Sequence, residues 1–149
     1  MSNEMPTITY RRAEIDDLPS IVEFVDFWLS GRGKKNHIKN TSNDYFITRK
    51  QHIDYISKYF VLVGIENSKI IAWGVSNQKK VLFHLLVAGT HRGRGIGREL
   101  LNLLNPEVVR SKTDQQTGDP TPWYLENGFN HIVADHMGKK KNITILSKS

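Results

Sequence analysis

An apolar run, Val81-Leu82-Phe83-His84-Leu85-Leu86-Val87, is followed shortly by Arg92-Gly93-Arg94-Gly95-Ile96-Gly97, and Ile96, Leu100, Leu101 and Leu104 then recur at helical spacing. This order of strand, glycine-rich turn and helix constrains the chain more than any other feature. The run is apolar at both alternating sets of positions, as expected of a central strand covered by helices on each side. Glycines let the backbone adopt positive φ and approach a ligand closely, and the free N–H groups and dipole of a helix N-terminus attract anions. With Arg92, Arg94 and Arg98 adding positive charge, the segment reads as a phosphate cradle; a turn without a ligand is the alternative.

The flanking sequence supplies more elements. Residues 8–12 and 61–65 and 70–75 read as strands, the last two joined by a turn at Glu66-Asn67-Ser68-Lys69. Leu18, Ile21, Val22, Val25, Trp28 and Leu29 form one helical stripe, opened by Asp16 or Asp17 as N-cap, with Pro19 tolerated in the first turn. Thr48 and Gln51 make a capping-box pair, which predicts a helix with Ile53, Ile56 and Phe60 on one face. The helix beginning at Ile96 stops at Asn105-Pro106, Val108 and Val109 mark a short strand, residues 122–127 a short helix, and residues 130–135 and 142–147 a closing hairpin with Lys139, Lys140 and Lys141 at its tip. Antiparallel runs around one βαβ step predict an α/β architecture with a mixed sheet. Residues 30–47 read as a long connection.

Spacing discriminates among phosphate-binding turns. A P-loop needs Gly-Lys-Ser/Thr five residues after its first glycine, where this chain has Arg98 and Glu99 after Gly93; a dinucleotide fingerprint needs glycine or alanine where Arg98 stands. The remaining pattern, Arg-x-x-Gly-x-Gly after Leu85-Leu86-Val87, resembles the acetyl-CoA pyrophosphate loop of the GCN5-related N-acetyltransferases. Ile8-Thr9-Tyr10-Arg11-Arg12-Ala13 with Asp16-Asp17-Leu18-Pro19-Ser20-Ile21 resembles that family's first strand and helix start, and Trp123-Tyr124-Leu125-Glu126-Asn127-Gly128-Phe129 its Tyr-x-x-x-Gly-Phe helix exit. The blocks occur in the family's order across most of the 149 residues.

The resemblance implies a single domain over residues 1–149 with a mixed, mostly antiparallel sheet of six to seven strands flanked by about four helices. It implies an acetyltransferase that moves an acetyl group from acetyl-CoA to an amine by direct attack. Leu85, Leu86 and Val87 are expected to meet the pantetheine arm through their backbone, and Arg92, Gly93, Arg94, Gly95, Ile96, Gly97 and Arg98 to hold the pyrophosphate. Tyr124 aligns with the tyrosine that protonates the leaving thiolate; packing at the end of the sheet is its plainer role. Where some relatives carry a glutamate base this chain has Val81, which leaves His84 as the nearest titratable group; a satisfied core histidine is the competing reading. The segment Thr117-Gly118-Asp119-Pro120-Thr121-Pro122 replaces the asparagine and alanine with which many relatives open the helix before the tyrosine, so a shortened helix is expected.

Composition bounds the rest. The net charge of +6 favours anionic partners without choosing among them. With no cysteine, disulfides, thiolate metal sites and a cysteinyl intermediate are excluded; His52, His131 and His136 are too scattered for a metal centre, so no metal is expected. No secretory signal or membrane-length apolar stretch is seen, which predicts a cytoplasmic protein without a membrane partner; monomer and homodimer are both left open. The acceptor is a small molecule or a protein; a binding module that holds CoA without turnover is the main rival reading, and a nucleic-acid-binding domain ranks last for want of any recognition motif.

Overall fold

The computed structural model describes residues 7–29, 47–78, 80–112, 118–135 and 143–148. The expected connection over residues 30–47, apart from Ile47, lies outside them, as do His136 and the expected hairpin tip at Lys139, Lys140 and Lys141.

Seven strands form one sheet in the order β1-β2-β3-β4-β5-β7-β6: β1 (Thr9–Arg12), β2 (Phe60–Glu66), β3 (Lys69–Ser76), β4 (Val81–Val87), β5 (Val108–Lys112), β6 (His131–Asp135) and β7 (Ile143–Ser147). Neighbours are antiparallel except β4 and β5, which run parallel across α3 (Ile96–Leu104). Three further α-helices are described: α1 (Leu18–Trp28), α2 (Arg49–Lys58) and α4 (Thr121–Glu126).

The sheet's alternation assigns the helices to faces. A Cβ on Gly74 would meet Leu100 and Leu104 of α3, whereas the adjacent Trp73 points to the other face, where its ring lies 5.6 Å from that of His52 on α2. Ile21 and Val25 of α1 and Leu100 of α3 are fully buried on this sheet, each contributing about 1.5–3 kcal/mol of hydrophobic stabilisation. Asn105, in the left-handed region at φ 50°, ends α3 before Pro106.

The capping box at Thr48 forms as expected, with Gln51 N donating to Thr48 Oγ1 at 3.2 Å and Thr48 N to Gln51 Oε1 at 3.0 Å. Three local expectations are corrected. On α2 the buried position is His52 rather than Ile53, and Phe60 starts β2 instead of continuing the helix, because Tyr59 is already extended. Asp17 occupies the expected N-cap position of α1, but its side chain makes no capping bond to the helix; its carboxylate accepts instead from Glu14 N at 2.7 Å and from Arg11, closing a 3₁₀ turn ahead of the helix. The strand at Val108 and Val109 extends to Lys112, where antiparallel pairing with β7 prolongs it.

Candidate active site

β4 keeps β5 beside it for two residues only. Val81 pairs with Val108 and Leu82 with Val109, and beyond that register the strands part. β4 remains paired with β3 as far as Val87, so among the described residues no strand pairs with the edge of residues 83–87 that faces β5. A bulge marks the parting: Ser76 pairs with Leu82 and Val75 with His84, leaving Phe83 as the extra residue. Phe83 consequently meets the C-cap of α2, its ring 5.6 Å from Tyr59, and His84 meets α2 itself, 5.5 Å from Tyr55.

A cavity of about 810 Å³ fills the opening. Its walls are residues 83–87 of β4, Arg110 and Lys112 of β5, and Trp123 and Tyr124 of α4, and it runs to the turn before α3. Gly93 and Gly95 stand in the left-handed region at φ 81° and 78°, and a Cβ would meet nothing within 4 Å at either, so backbone conformation rather than space demands glycine there. Gly95 caps α3 without a side-chain hydrogen bond, and the first helical bond is Glu99 N to Gly95 O. The amides of Ile96, Gly97 and Arg98 therefore have no intrahelical acceptor and stand at the positive end of the helix.

Of the residues expected from sequence, His84, Leu85, Leu86, Val87, Arg92, Gly93, Gly95, Ile96, Gly97, Arg98 and Tyr124 line this one cavity. Arg94 does not: its Nη2 donates to Glu66 Oε2 at 2.9 Å, so its side chain ties the turn to the end of β2. Arg98 Nε donates to Asn127 Oδ1 at 3.1 Å, linking α3 to the exit of α4. Val81 precedes the parting of the strands and lies off the cavity wall.

No protein-family model matches the chain, and no curated protein matches it. Solved structures do. The PaiA N-acetyltransferase of Thermoplasma acidophilum in complex with coenzyme A is similar over 96% of this chain and 99% of its own, at TM-score 0.67 and 14% identity. An N-acetyltransferase of Staphylococcus aureus Mu50 is similar over 94% and 96%, at TM-score 0.64 and 20% identity. The putative acetyltransferase yncA of Salmonella typhimurium, with its cofactor acetyl-CoA, is similar over 94% and 92%, at TM-score 0.58 and 18% identity.

The chain has the GCN5-related N-acetyltransferase fold.

Within this fold the electrostatics of the opening follow from burial. His84 stacks on Trp73, ring centres 5.1 Å apart, with Nε2 3.2 Å from Tyr55 Oη. Burial first, and then the charges of Lys112, His52 and Arg110, hold its pKa well below the ordinary 6.5, so the imidazole is neutral at physiological pH. Burial raises the Tyr55 phenol, which keeps its proton. Tyr124 is 5% exposed, and burial raises its pKa above the ordinary 10.0. A tyrosine in that state keeps its proton throughout the neutral range.

Sequence reading missed Trp73, Phe83, Arg110 and Lys112 as cavity walls, and Tyr55 as the partner of His84. The bulge that turns Phe83 towards α2 leaves no local sequence signal. The only cue for Arg110 was its alternation with buried Val109 along a strand whose length was underestimated. Among the described residues no group of three or more His, Asp or Glu could hold a metal ion, and no helix is long and apolar enough to cross a membrane.

Proposed function

We propose that this chain is an acetyl-CoA-dependent N-acetyltransferase in which an acceptor amine attacks the thioester directly. The observation that carries the reading is the unpaired edge of residues 83–87, continuous with a turn of two left-handed glycines and the uncapped amides of α3. An extended amide-containing arm pairs with an open strand edge, and a diphosphate suits a helix N-terminus. Solved relatives of this fold with coenzyme A or acetyl-CoA support the same ligand.

In this mechanism the amides from Arg92 to Gly97 hold the diphosphate, Arg92 and Arg98 offset its charge, and Arg94 keeps the turn in place through Glu66. Backbone groups of Leu85, Leu86 and Val87 bind the pantetheine arm, and an N–H near Leu86 or Val87 stabilises the tetrahedral oxyanion. Tyr124 donates its proton to the departing thiolate. An amine with pKa near 10.4 must shed a proton first, which costs about 4.6 kcal/mol at pH 7. His84 serves as the base for that step. Tyr55 engages its Nε2, and its Nδ1 has no hydrogen-bond partner among the described residues.

One observation favours a second reading, a module that holds coenzyme A without turnover: Val81 replaces the glutamate base of some relatives and lies off the cavity wall. Release of free thiol from acetyl-CoA over a panel of amines tests the choice. Turnover with at least one amine carries the enzyme; tight binding of acetyl-CoA with no turnover for any amine carries the module.

A further inference from the structure

β5 places Arg110 on the cavity wall just past the parting of the strands, with Lys112 two residues on. Alternation sends Val109 and Ser111 to the opposite face, where both are buried and Ser111 Oγ lies 2.7 Å from Thr121 Oγ1 of α4. The Arg110 guanidinium lies over Phe83, 5.4 Å from the ring centre. That contact fixes its plane and leaves its N–H fork available.

Arg110 is half-buried, yet no carboxylate pairs with it among the described residues, in contrast to Arg11 and Arg94, which each hold one. The acid on the described wall, Asp119, accepts a hydrogen bond from Thr121 N at 3.0 Å at the start of α4. A coenzyme diphosphate does not reach Arg110. Residues 83–87 separate it from the turn, a strand length of roughly 16 Å. A partly desolvated cation facing a ligand cavity gains most from an anionic ligand that matches its planar fork.

We infer that Arg110, with Lys112 beside it, binds an anionic group on the acceptor, so that the substrate is an amine that also carries a carboxylate or a phosphate. This rests on the transferase reading and names its substrate class. The site also couples binding to chemistry: the two cations help to hold His84 below its ordinary pKa, and an anion set between them lifts that restraint and strengthens the base.

The test is calorimetry on the protein saturated with coenzyme A. The probes are a series from glycine to 5-aminopentanoate, ω-aminoalkylphosphonates, and alkylamines of matched length. Acid-bearing probes are expected to bind at least about tenfold more tightly than the alkylamines. Whichever acid series binds better identifies carboxylate or phosphate as the recognised group. Arg110→Gln should remove the preference, and Arg110→Lys should retain part of it because charge survives and the fork does not. Coenzyme A affinity, held within about twofold in both variants, reports that each is folded. Absence of any preference, including binding by none of the probes, overturns the inference while leaving the transferase reading intact. If the wild-type protein fails to bind coenzyme A, the transferase reading falls and the inference with it.

Discussion

Arg94 is held by Glu66, Nη2 to Oε2 at 2.9 Å, and the same carboxylate takes His91 Nε2 at 2.9 Å on its other oxygen. His91 Nε2 donates to this carboxylate, and Thr90 Oγ1 lies 2.8 Å from its Nδ1. The His91 hydrogen bond first, and then that of Arg94, lower the Glu66 pKa, so its carboxylate is ionised at neutral pH. The turn expected to bind an anion is thus fastened to β2 by Glu66 and Arg94, neither of which lines the cavity. Glu66→Gln should weaken acetyl-CoA binding roughly tenfold by loosening the turn, while Arg92, which lines the cavity, stays in place. Calorimetry checks this; unchanged affinity would show that the clasp does not position the turn.

The three glycines of the turn should respond differently. Alanine at Gly93 or Gly95 must adopt positive φ, at a cost of about 1–2 kcal/mol. Gly97 is helical, and its added Cβ meets Trp123 at 3.4 Å in ordinary contact, so Gly97→Ala should be neutral or stabilising by about 0.5–1 kcal/mol. Urea unfolding midpoints separate the two classes. Equal losses at all three positions would contradict the backbone assignment.

Tyr124→Phe keeps the packed ring and removes the proton donor. On the proposed mechanism kcat falls by about two orders of magnitude while acetyl-CoA affinity is unchanged. Steady-state thiol release beside calorimetry distinguishes this from a packing role, for which kcat would barely move.

His52 is 1% exposed and burial pushes its pKa down from 6.5 to about 4. A lowered folded-state pKa means that the unfolded chain binds the extra proton more readily, so stability is complete above pH 6.5 and is lost as pH falls towards 4. The loss from this group approaches about 3 kcal/mol. His84 acts in the same direction. Denaturant midpoints across pH 4 to 7 should fall with acidity, and His52→Gln should flatten that slope. An unchanged slope would place the titration elsewhere.

Local features were the ones that could be read without coordinates. The turn before α3 was legible because glycine spacing, a leucine stripe and a preceding apolar run lie within about 25 residues and specify one strand-to-helix geometry. The box at Thr48 and the stop at Asn105-Pro106 were legible for the same reason. The α2 face was misassigned because Ile53 outranks His52 in hydrophobicity, and it is the Trp73 ring, on the sheet face that α2 covers, that rewards burying the histidine.

The amino-acid sequence by itself determined where the chain turns, which stripes of α1 and α3 seek burial and where a helix start leaves amides without an intrahelical acceptor, since these depend on neighbours a few residues apart. Tertiary structure decided that β4 and β5 part after Leu82 and Val109, that Phe83 bulges out of the β3 register, that Arg94 belongs to Glu66, and that Arg110 faces the cavity with no carboxylate paired to it among the described residues. Those outcomes depend on strand register and on partners far apart along the chain. Such pairings are fixed only when the whole sheet and its two helical faces pack at once.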